Sequence, residues 1–241
     1  MQQVSAALTE WLKEKVREAG AEGLVIGLSG GIDSSVAAAL AVRAFPQNTL
    51  GIIMPCFSNP QDALDAKLLA ESQNIPTVTV CLDEPFLAML RGITGNGNYD
   101  PRSCDLTVAN IKPRLRMSTL YYFAASRKSL VVGTLNKTEI IVGFYTKYGD
   151  GGTDLSPLAN LLKRDVRELA RYLGVPQRII DKAPSAGLWH GHCDETEMGV
   201  TYQELDEYLG NGQGDERVKR IIKALIQKHK HKRDMPLIPP V

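Results

Sequence analysis

The 241-residue sequence has few of the features that mark secreted, membrane or nucleic-acid-coating proteins. Its four cysteines, Cys56, Cys81, Cys104 and Cys193, include no Cys-x-x-Cys pair. This pattern excludes a disulfide scaffold and indicates a reduced, intracellular protein. No apolar run reaches the length of about 18 residues that a transmembrane helix needs. The sequence has 28 Lys and Arg residues against 27 Asp and Glu residues. Such an even charge balance argues against a nucleic-acid partner.

No targeting segment is expected at the N-terminus either. Residues 1–19 carry several charges, among them Glu10 and Arg17, which a signal-peptide apolar region does not tolerate. Their apolar residues, such as Leu8 and Leu12, recur at helical spacing and predict an amphipathic helix. We therefore expect a cytoplasmic protein without a membrane partner.

Short apolar runs alternate with helical patterns over the first half of the chain. The runs that predict strands are Leu24–Leu28, Leu50–Met54, Thr77–Leu82 and, after an insertion, Leu130–Thr134. The helices predicted between them are Asp33–Phe45, Pro60–Gln73 and Leu106–Arg127. Continuous apolar strands that alternate with helices are typical of βαβ units around a buried parallel sheet.

After residue 143 the pattern becomes mostly helical. Helices are predicted near Arg164–Leu173, Met198–Leu209 and Asp215–Lys228, and Ala183–Thr196 is predicted to be irregular. The expected fold is α/β: a doubly wound, mostly parallel sheet with a helical C-terminal part, in one domain over residues 1–241.

The loop after the first strand is the strongest local signal. It reads Ser29-Gly-Gly-Ile-Asp-Ser-Ser35 and leads directly into a helix. Two glycines let backbone N–H groups approach an anion, serine hydroxyls add donors, and the helix N-terminus adds partial positive charge. Asp33 at the helix start is suited either to capping the helix or to holding Mg²⁺ beside a polyphosphate.

Other interpretations of this loop stay open on the residues alone. It has neither the lysine of a Walker loop nor the spacing of a dinucleotide-binding turn. Gly27-Leu-Ser-Gly-Gly31 does match the nucleophile elbow of serine hydrolases, with Ser29 as the nucleophile. A tight turn of small residues without a ligand is the remaining alternative.

The loop resembles the pyrophosphatase loop of N-type ATP pyrophosphatases, and further motifs resemble those of NAD synthetases. These motifs follow in family order and are Asn110–Met117, Gly133–Glu139, Thr146–Asp154, Pro157-Leu158, Lys182–Leu188, Asp194–Glu197 and His231–Arg233. The resemblance implies an adenine nucleotide alpha hydrolase-like, Rossmann-type fold. It also implies a ligase that amidates nicotinic acid adenine dinucleotide (deamido-NAD) to NAD, with ATP and ammonia as co-substrates, Mg²⁺ as cofactor, and AMP and pyrophosphate as products.

The resemblance further implies a role for individual residues. Those implied to bind ATP are Gly27, Leu28, Ser29, Gly30, Gly31, Ile32, Asp33, Ser34, Ser35, Thr134, Lys163 and Ser185. Those implied to bind metal are Asp33 and Glu139, and those implied to bind deamido-NAD are Arg114, Lys147, Asp154, His231 and Lys232. Lys163 also stands out by itself, because positive charge at a predicted helix start is mildly unfavourable.

The family resemblance also implies protein partners, and alternative functions stay open. A homodimer is implied, no fused glutaminase domain is expected, and a separate glutaminase subunit is an open possibility. A tRNA-modifying pyrophosphatase and a regulatory module that binds ATP without cleaving it are the rival functions.

Three positions depart from the family pattern, and the mildest change is Thr138, which replaces a small residue before Glu139. Pro113 replaces a small residue and is expected to kink the helix that carries Arg114. His192 replaces a glutamine in a loop that closes over the substrates. His190, His192, Cys193 and Asp194 cluster in sequence, but they lack the second ligand pair that is usual in structural zinc sites.

Overall fold

A four-stranded parallel sheet forms the centre of the structure. The computed structural model describes residues 1–236, 238 and 239. The strands, in the spatial order β3-β2-β1-β4, are β1 (Gly23–Gly27), β2 (Thr49–Ile53), β3 (Thr77–Thr79) and β4 (Ser129–Val132). Val25 of β1 lies opposite Leu50 of β2 on one side and Val131 of β4 on the other. The predicted doubly wound topology is confirmed, since the chain moves outward from β1 to β3 and then crosses to the other side for β4.

Helices connect the strands and build the C-terminal part. Those before β4 are α1 (Gln2–Glu18), α2 (Ile32–Ala44), α3 (Pro60–Gln73), α4 (Asp83–Thr94), α5 (Leu106–Ala109) and α6 (Ile111–Ser126). Those after β4 are α7 (Lys137–Val142), α8 (Lys163–Leu173), α9 (Gln177–Ile180), α10 (Asp194–Met198), α11 (Tyr202–Asn211), α12 (Glu216–Lys228) and α13 (Lys230–Arg233). Within the described residues, no helix has both the length and the apolar character needed to cross a membrane.

Alternate residues of β1 enter two different cores. Leu24 and Ile26 belong to the core that α1, α2 and α8 share, whereas Val25 belongs to the core that α4 and α6 share. Side chains alternate between the faces of a strand, so a strand buried on both faces must be apolar at every position. This burial explains why the predicted strands are continuous apolar runs.

A third core holds the C-terminal helices together. It contains Val142 of α7, Leu205 of α11 and Ile222 of α12, all essentially buried. This core places α11 beside α7, near the carboxyl end of β4.

Two predicted elements differ in extent from the observed ones. The strand predicted at Thr77–Leu82 is regular only over β3, which is exposed and lies at the sheet edge, where it pairs with β2 alone. The helix predicted at Leu106–Arg127 is divided at Asn110, which ends α5 and begins α6. Pro113 lies in the first turn of α6, where a backbone N–H has no helical partner to lose, and α6 continues to Ser126.

The segment predicted to be irregular also contains a helix. Asp194 begins α10, which ends at Gly199 with a φ of +68°. The next helix begins at Tyr202 rather than at Met198, because Thr201 and Glu204 form a capping box that fixes its start.

A side chain from α11 caps α8. The carboxylate of Asp206, which is buried, accepts hydrogen bonds from the Arg164 N–H at 2.7 Å and the Lys163 N–H at 3.3 Å. It also accepts from the Thr138 hydroxyl of α7 at 2.6 Å. Asp206 therefore joins three helices at the point where α8 begins.

Replacing Asp206 by alanine is expected to lower the free energy of unfolding by about 3 kcal/mol. This value combines a lost helix cap with a buried hydroxyl left without its acceptor. Urea unfolding measures it, with Glu207→Ala as the matched control, since Glu207 makes only an exposed hydrogen bond to Gln203. Equal losses in the two variants would contradict the capping role.

Candidate active site

The candidate site lies where β1 and β4 end side by side. Because the sheet order changes direction between these two strands, the loops that follow them diverge and leave a crevice. The crevice opens into a cleft of about 910 Å³. Gly27 and Asp33 line it from the β1 side, and Thr134 and Glu139 line it from the β4 side.

The loop between β1 and α2 has the geometry of an anion-binding turn. Gly30 has a φ of +75°, and a Cβ at this position would overlap the backbone of Asp62, so only glycine fits. Gly31 precedes α2, and no side chain caps the helix there. The first N–H groups of α2 therefore have no acceptor within the helix and are available to a bound anion.

The serines of this loop mainly fix its shape. The Ser34 and Ser35 hydroxyls donate to the Gly31 carbonyl at 3.0 and 2.8 Å, and both residues are buried. The Ser29 hydroxyl lies 2.9 Å from that of Ser34 and accepts from the Gly31 N–H at 3.2 Å. The predicted phosphate loop is thus pre-organised, with backbone N–H groups rather than Ser34 and Ser35 as its free donors.

Lys163 is the central charge of the site. Its Nζ atom lies 2.5 Å from Asp33 Oδ2 and 3.2 Å from Glu139 Oε1, and its side chain is only 2% exposed. Burial acts to lower the pKa of Lys163, but Asp33 and Glu139 hold it above its ordinary value. The positive charge of Lys163, which is unfavourable at a helix start, is therefore explained by its pairing with Asp33 and Glu139, the two carboxylates predicted to bind metal.

Asn136 and Tyr202 complete this cluster, although neither was predicted as a site residue. The Asn136 amide donates to Asp33 Oδ1 at 2.8 Å, while its carbonyl accepts the Glu139 N–H at 3.0 Å. The Tyr202 hydroxyl lies 3.1 Å from both Glu139 Oε1 and Asp194 Oδ2. The spacing of Asn136 and Glu139 is a capping-box signal visible in the sequence, whereas nothing local marks Tyr202.

The cluster carries more negative than positive charge. Asp33, Glu139 and Asp194 supply three carboxylates against the one ammonium of Lys163. Burial raises the pKa of Glu139 to about 7, with Asp33 adding to the shift and Lys163 opposing it. Burial also raises the pKa of Asp194. The surplus of two negative charges favours a proton or an added cation at this place.

Lys182 forms a second anchor beneath the loop. Its Nζ atom donates to Asp62 at 2.7 Å, to Asp65 at 2.8 Å and to the Gly30 carbonyl at 3.3 Å. Asp65 is buried and also pairs with Arg178 at 3.1 Å. These contacts hold Gly30 against α3. In the sequence, Lys182 was marked by the family motif Lys182–Leu188.

The residues predicted to bind deamido-NAD lie at different depths. Lys232 lines the cleft and donates to the carbonyls of Gly143 and Tyr145 at 2.8 and 2.6 Å. Arg114, Lys147 and His231 are joined outside it: Arg114 contacts the Lys147 carbonyl at 3.4 Å, and Lys147 donates to the His231 carbonyl.

Asp154 is not brought to the cleft. Its carboxylate accepts from the Tyr121 hydroxyl at 3.0 Å and from the Val131 N–H of β4 at 2.8 Å. In this position it closes the outer edge of β4, because the following residue, Leu155, bridges to Val132.

The segment 184–193 lies over the cleft and is held from several sides. Lys112 of α6 donates to the Leu188 carbonyl at 2.8 Å, and the His190 N–H donates to the Pro101 carbonyl at 3.0 Å. Asp194 accepts from the Ala186 N–H at 2.7 Å. Ser185, a predicted ATP contact, is exposed on this segment and lines the cleft.

Comparison with known proteins assigns the family. The model of the NAD synthase family matches residues 4–236. The chain belongs to this family. It is 52% identical to the NH3-dependent NAD(+) synthetase of Carboxydothermus hydrogenoformans, over 96% of this chain and 95% of that protein.

Solved structures of NAD synthase relatives share the fold. An NMN synthetase from Francisella tularensis has a TM-score of 0.93 and 41% identity, and covers 100% of this chain and 98% of its own. The NH3-dependent NAD synthetase of Campylobacter jejuni has a TM-score of 0.81 and 28% identity, with 99% of each chain covered.

The carboxylates of this NAD synthase family member fit one hard divalent cation. Asp33 and Glu139 both contact the Lys163 ammonium, so they are close enough to share a cation, and carboxylate oxygens are the hard ligands that suit Mg²⁺. Among residues 1–236, 238 and 239, no three His, Cys, Asp or Glu side chains are arranged to hold a metal by themselves. A Mg²⁺ ion held by these two carboxylates would take its other ligands from phosphate oxygens and water, as is usual for this ion.

The raised pKa of Glu139 predicts a pH-dependent stability. A carboxyl whose pKa rises from 4.5 to about 7 on folding contributes stability below pH 4.5 that is lost as the pH rises through 7. Glu139→Gln removes this titration, so its free energy of unfolding relative to wild type should increase from pH 4.5 to 7. Urea unfolding across this range measures it. Parallel curves for Glu139→Gln and wild type would refute the assignment.

Proposed function

We propose that the chain amidates the nicotinate carboxylate of deamido-NAD, using ATP and ammonia and releasing AMP and pyrophosphate. The observation that carries the proposal is the juxtaposition, in one cleft, of an uncapped phosphate loop with the Asp33–Lys163–Glu139 cluster. Membership of the NAD synthase family and the names of the curated relatives support it.

The first step activates the carboxylate. A nicotinate oxygen attacks the α-phosphorus of ATP, the bond to the bridging oxygen breaks, and pyrophosphate leaves with the electron pair. The acyl-adenylate that forms has the good leaving group that a free carboxylate lacks. The N–H groups at the start of α2 stabilise the negative charge that develops on the departing phosphates, and Lys163 adds a fixed positive charge.

The second step forms the amide. Ammonia attacks the carbonyl carbon of the acyl-adenylate, the C–O bond to phosphate breaks, AMP leaves, and the nitrogen loses a proton. The segment 184–193 lies over the cleft and limits the access of water, which would hydrolyse the adenylate instead.

Asp33 and Glu139 are the residues that would hold Mg²⁺. When bound, this ion supplies charge neutralisation on the β- and γ-phosphates. The Lys163 ammonium keeps both carboxylates oriented, and Asn136 fixes the second oxygen of Asp33.

The remaining residues predicted to contact the substrates are assigned by whether they line the cleft or lie outside it. We assign the hydroxyls of Thr134 and Ser185 to ATP, because both residues line the cleft. We assign Lys232 to the phosphates of the nicotinate nucleotide, and Arg114, Lys147 and His231 to its outer end. The role of Asp154 toward the substrate stays a prediction.

The mononucleotide is a second candidate substrate. The Francisella tularensis structure, with its TM-score of 0.93, is that of an NMN synthetase. An NMN synthetase makes the amide of nicotinic acid mononucleotide, so the reacting carboxylate is the same and only the distal part of the substrate differs. The 52% identity to an NH3-dependent NAD(+) synthetase favours the dinucleotide.

We propose a homodimer, because Arg114 is exposed outside the cleft, where a second copy can complete the distal site. We also propose that the chain uses free ammonia directly; a separate glutaminase subunit would have to dock to allow the use of glutamine.

A product assay tests the reaction. Deamido-NAD and nicotinic acid mononucleotide are each supplied with ATP, Mg²⁺ and ammonium chloride, and then with glutamine in place of ammonium. We expect equal amounts of NAD, AMP and pyrophosphate from the dinucleotide with ammonium, and no product with glutamine. Faster amidation of the mononucleotide would select the second candidate, and the absence of ATP cleavage with either substrate would overturn the proposal.

Neutral variants of the two carboxylates test the metal role. Asp33→Asn and Glu139→Gln should each lower kcat for AMP formation by about a hundredfold or more, since a site that stabilises phosphoryl charge is lost. Glu207→Gln, the matched control, should retain normal turnover. Normal turnover by either cluster variant would remove that residue from the metal site.

A further inference from the structure

Ser185, His192 and Glu197 form a continuous hydrogen-bonded chain. His192 Nδ1 lies 3.2 Å from Ser185 Oγ, and His192 Nε2 lies 2.7 Å from Glu197 Oε2. The imidazole side chain is 0% exposed, whereas Glu197 reaches the cleft with 28% of its side chain exposed. One end of the chain is thus a hydroxyl that faces the cleft, and the middle is a fully enclosed imidazole.

The direction of the Ser185 hydroxyl depends on the charge of His192. Nε2 must carry a hydrogen, because a carboxylate accepts only. If Nδ1 is bare, the Ser185 hydroxyl donates to it and presents only a lone pair to the cleft. If Nδ1 also carries a hydrogen, Ser185 Oγ accepts from it and from the Gly187 N–H at 3.1 Å. The Ser185 proton is then free to point into the cleft.

An anionic ligand distinguishes between these two states. A phosphate oxygen attracts a hydroxyl proton and repels a lone pair, so a polyphosphate at Ser185 favours the imidazolium. An empty cleft has no such preference. Binding of a polyphosphate at Ser185 would therefore be linked to protonation of His192 through the Ser185 hydroxyl.

Two acidic side chains of α10 face His192. Asp194 Oδ1 lies 3.6 Å from Nδ1, and Glu197 contacts Nε2, so α10 faces the ring with two carboxylates. The Trp189 ring packs edge-on against it with centroids 4.3 Å apart. Positive charges act in turn on these carboxylates: Lys163 acts on Asp194, and Lys232 interacts with Glu197.

We propose that His192, backed by Glu197, is a positioning residue that orients the Ser185 hydroxyl, so that ATP binding is coupled to proton uptake by His192. This inference rests on the proposed function, since it takes ATP as the ligand at Ser185. Imidazole is the side chain whose charge ordinarily changes between about pH 5 and 8. A glutamine at this position, as in the family pattern, has no such titration.

Calorimetric titration with ATP and Mg²⁺, without the nicotinate substrate, tests the inference. In wild type the Kd for ATP should rise about tenfold from pH 6 to pH 8, the effect of one hydrogen bond that involves a charged group. For the His192→Gln and Ser185→Ala variants, the Kd for ATP should rise over this pH range by less than twofold beyond the change that the ionisation of ATP itself causes. His190→Gln, in which a nearby exposed histidine is exchanged, should behave as wild type.

Proton uptake is the second readout. Titrations at pH 7.5 in buffers of different ionisation enthalpy should show that wild type takes up more protons than His192→Gln, by up to one per ATP bound. Thermal melting confirms first that each variant is folded. Tight ATP binding with the same pH dependence in wild type and His192→Gln would overturn this inference and leave the proposed function intact. An absence of ATP binding by wild type would overturn the proposed function itself.

Discussion

The contact of the Lys163 ammonium with the carboxylates of Asp33 and Glu139 is the interaction on which the rest of the site depends. A buried ammonium is strongly unfavourable without partners, and each carboxylate beside it is unfavourable without the ammonium. The three residues come from α8, α2 and α7, and Asp206 fixes the start of α8 from α11. The cluster therefore ties the C-terminal helices to the crevice of the sheet, so the stability of the fold and the placement of the phosphate loop are linked.

The parts of the fold that local sequence determines were predictable. Strands buried on both faces appear as continuous apolar runs, and the loop Ser29–Ser35 carries its glycines where the backbone needs a positive φ and close contact with Asp62. The break at Asn110 and the short β3 were missed. Both involve distant neighbours: β3 pairs with β2, and the Asn110 side chain at the helix break accepts a hydrogen bond from the Thr146 hydroxyl at 2.6 Å.

The candidate site was predictable only in part, for the same reason. The family motifs contained Asp33 and Glu139. The resemblance also implied Lys163, and its positive charge at a predicted helix start was a local signal. Tyr202 and Asp206 have no local signal, because their roles exist only after the third core docks α11 against α7. The Ser185–His192 contact likewise arises from a turn between two residues that no regular helix or strand would bring together.

The most direct test of the account is a comparison of charge removal at the cluster, one residue at a time and then together. Lys163→Met alone should lower the free energy of unfolding at pH 7 by about 3–5 kcal/mol, because two carboxylates lose their shared partner. Adding Asp33→Asn and Glu139→Gln to this variant should restore most of that loss. Urea unfolding measures these changes. If the decreases in the free energy of unfolding caused by the three substitutions simply add in the triple variant, the cluster is not the interaction that holds the site together.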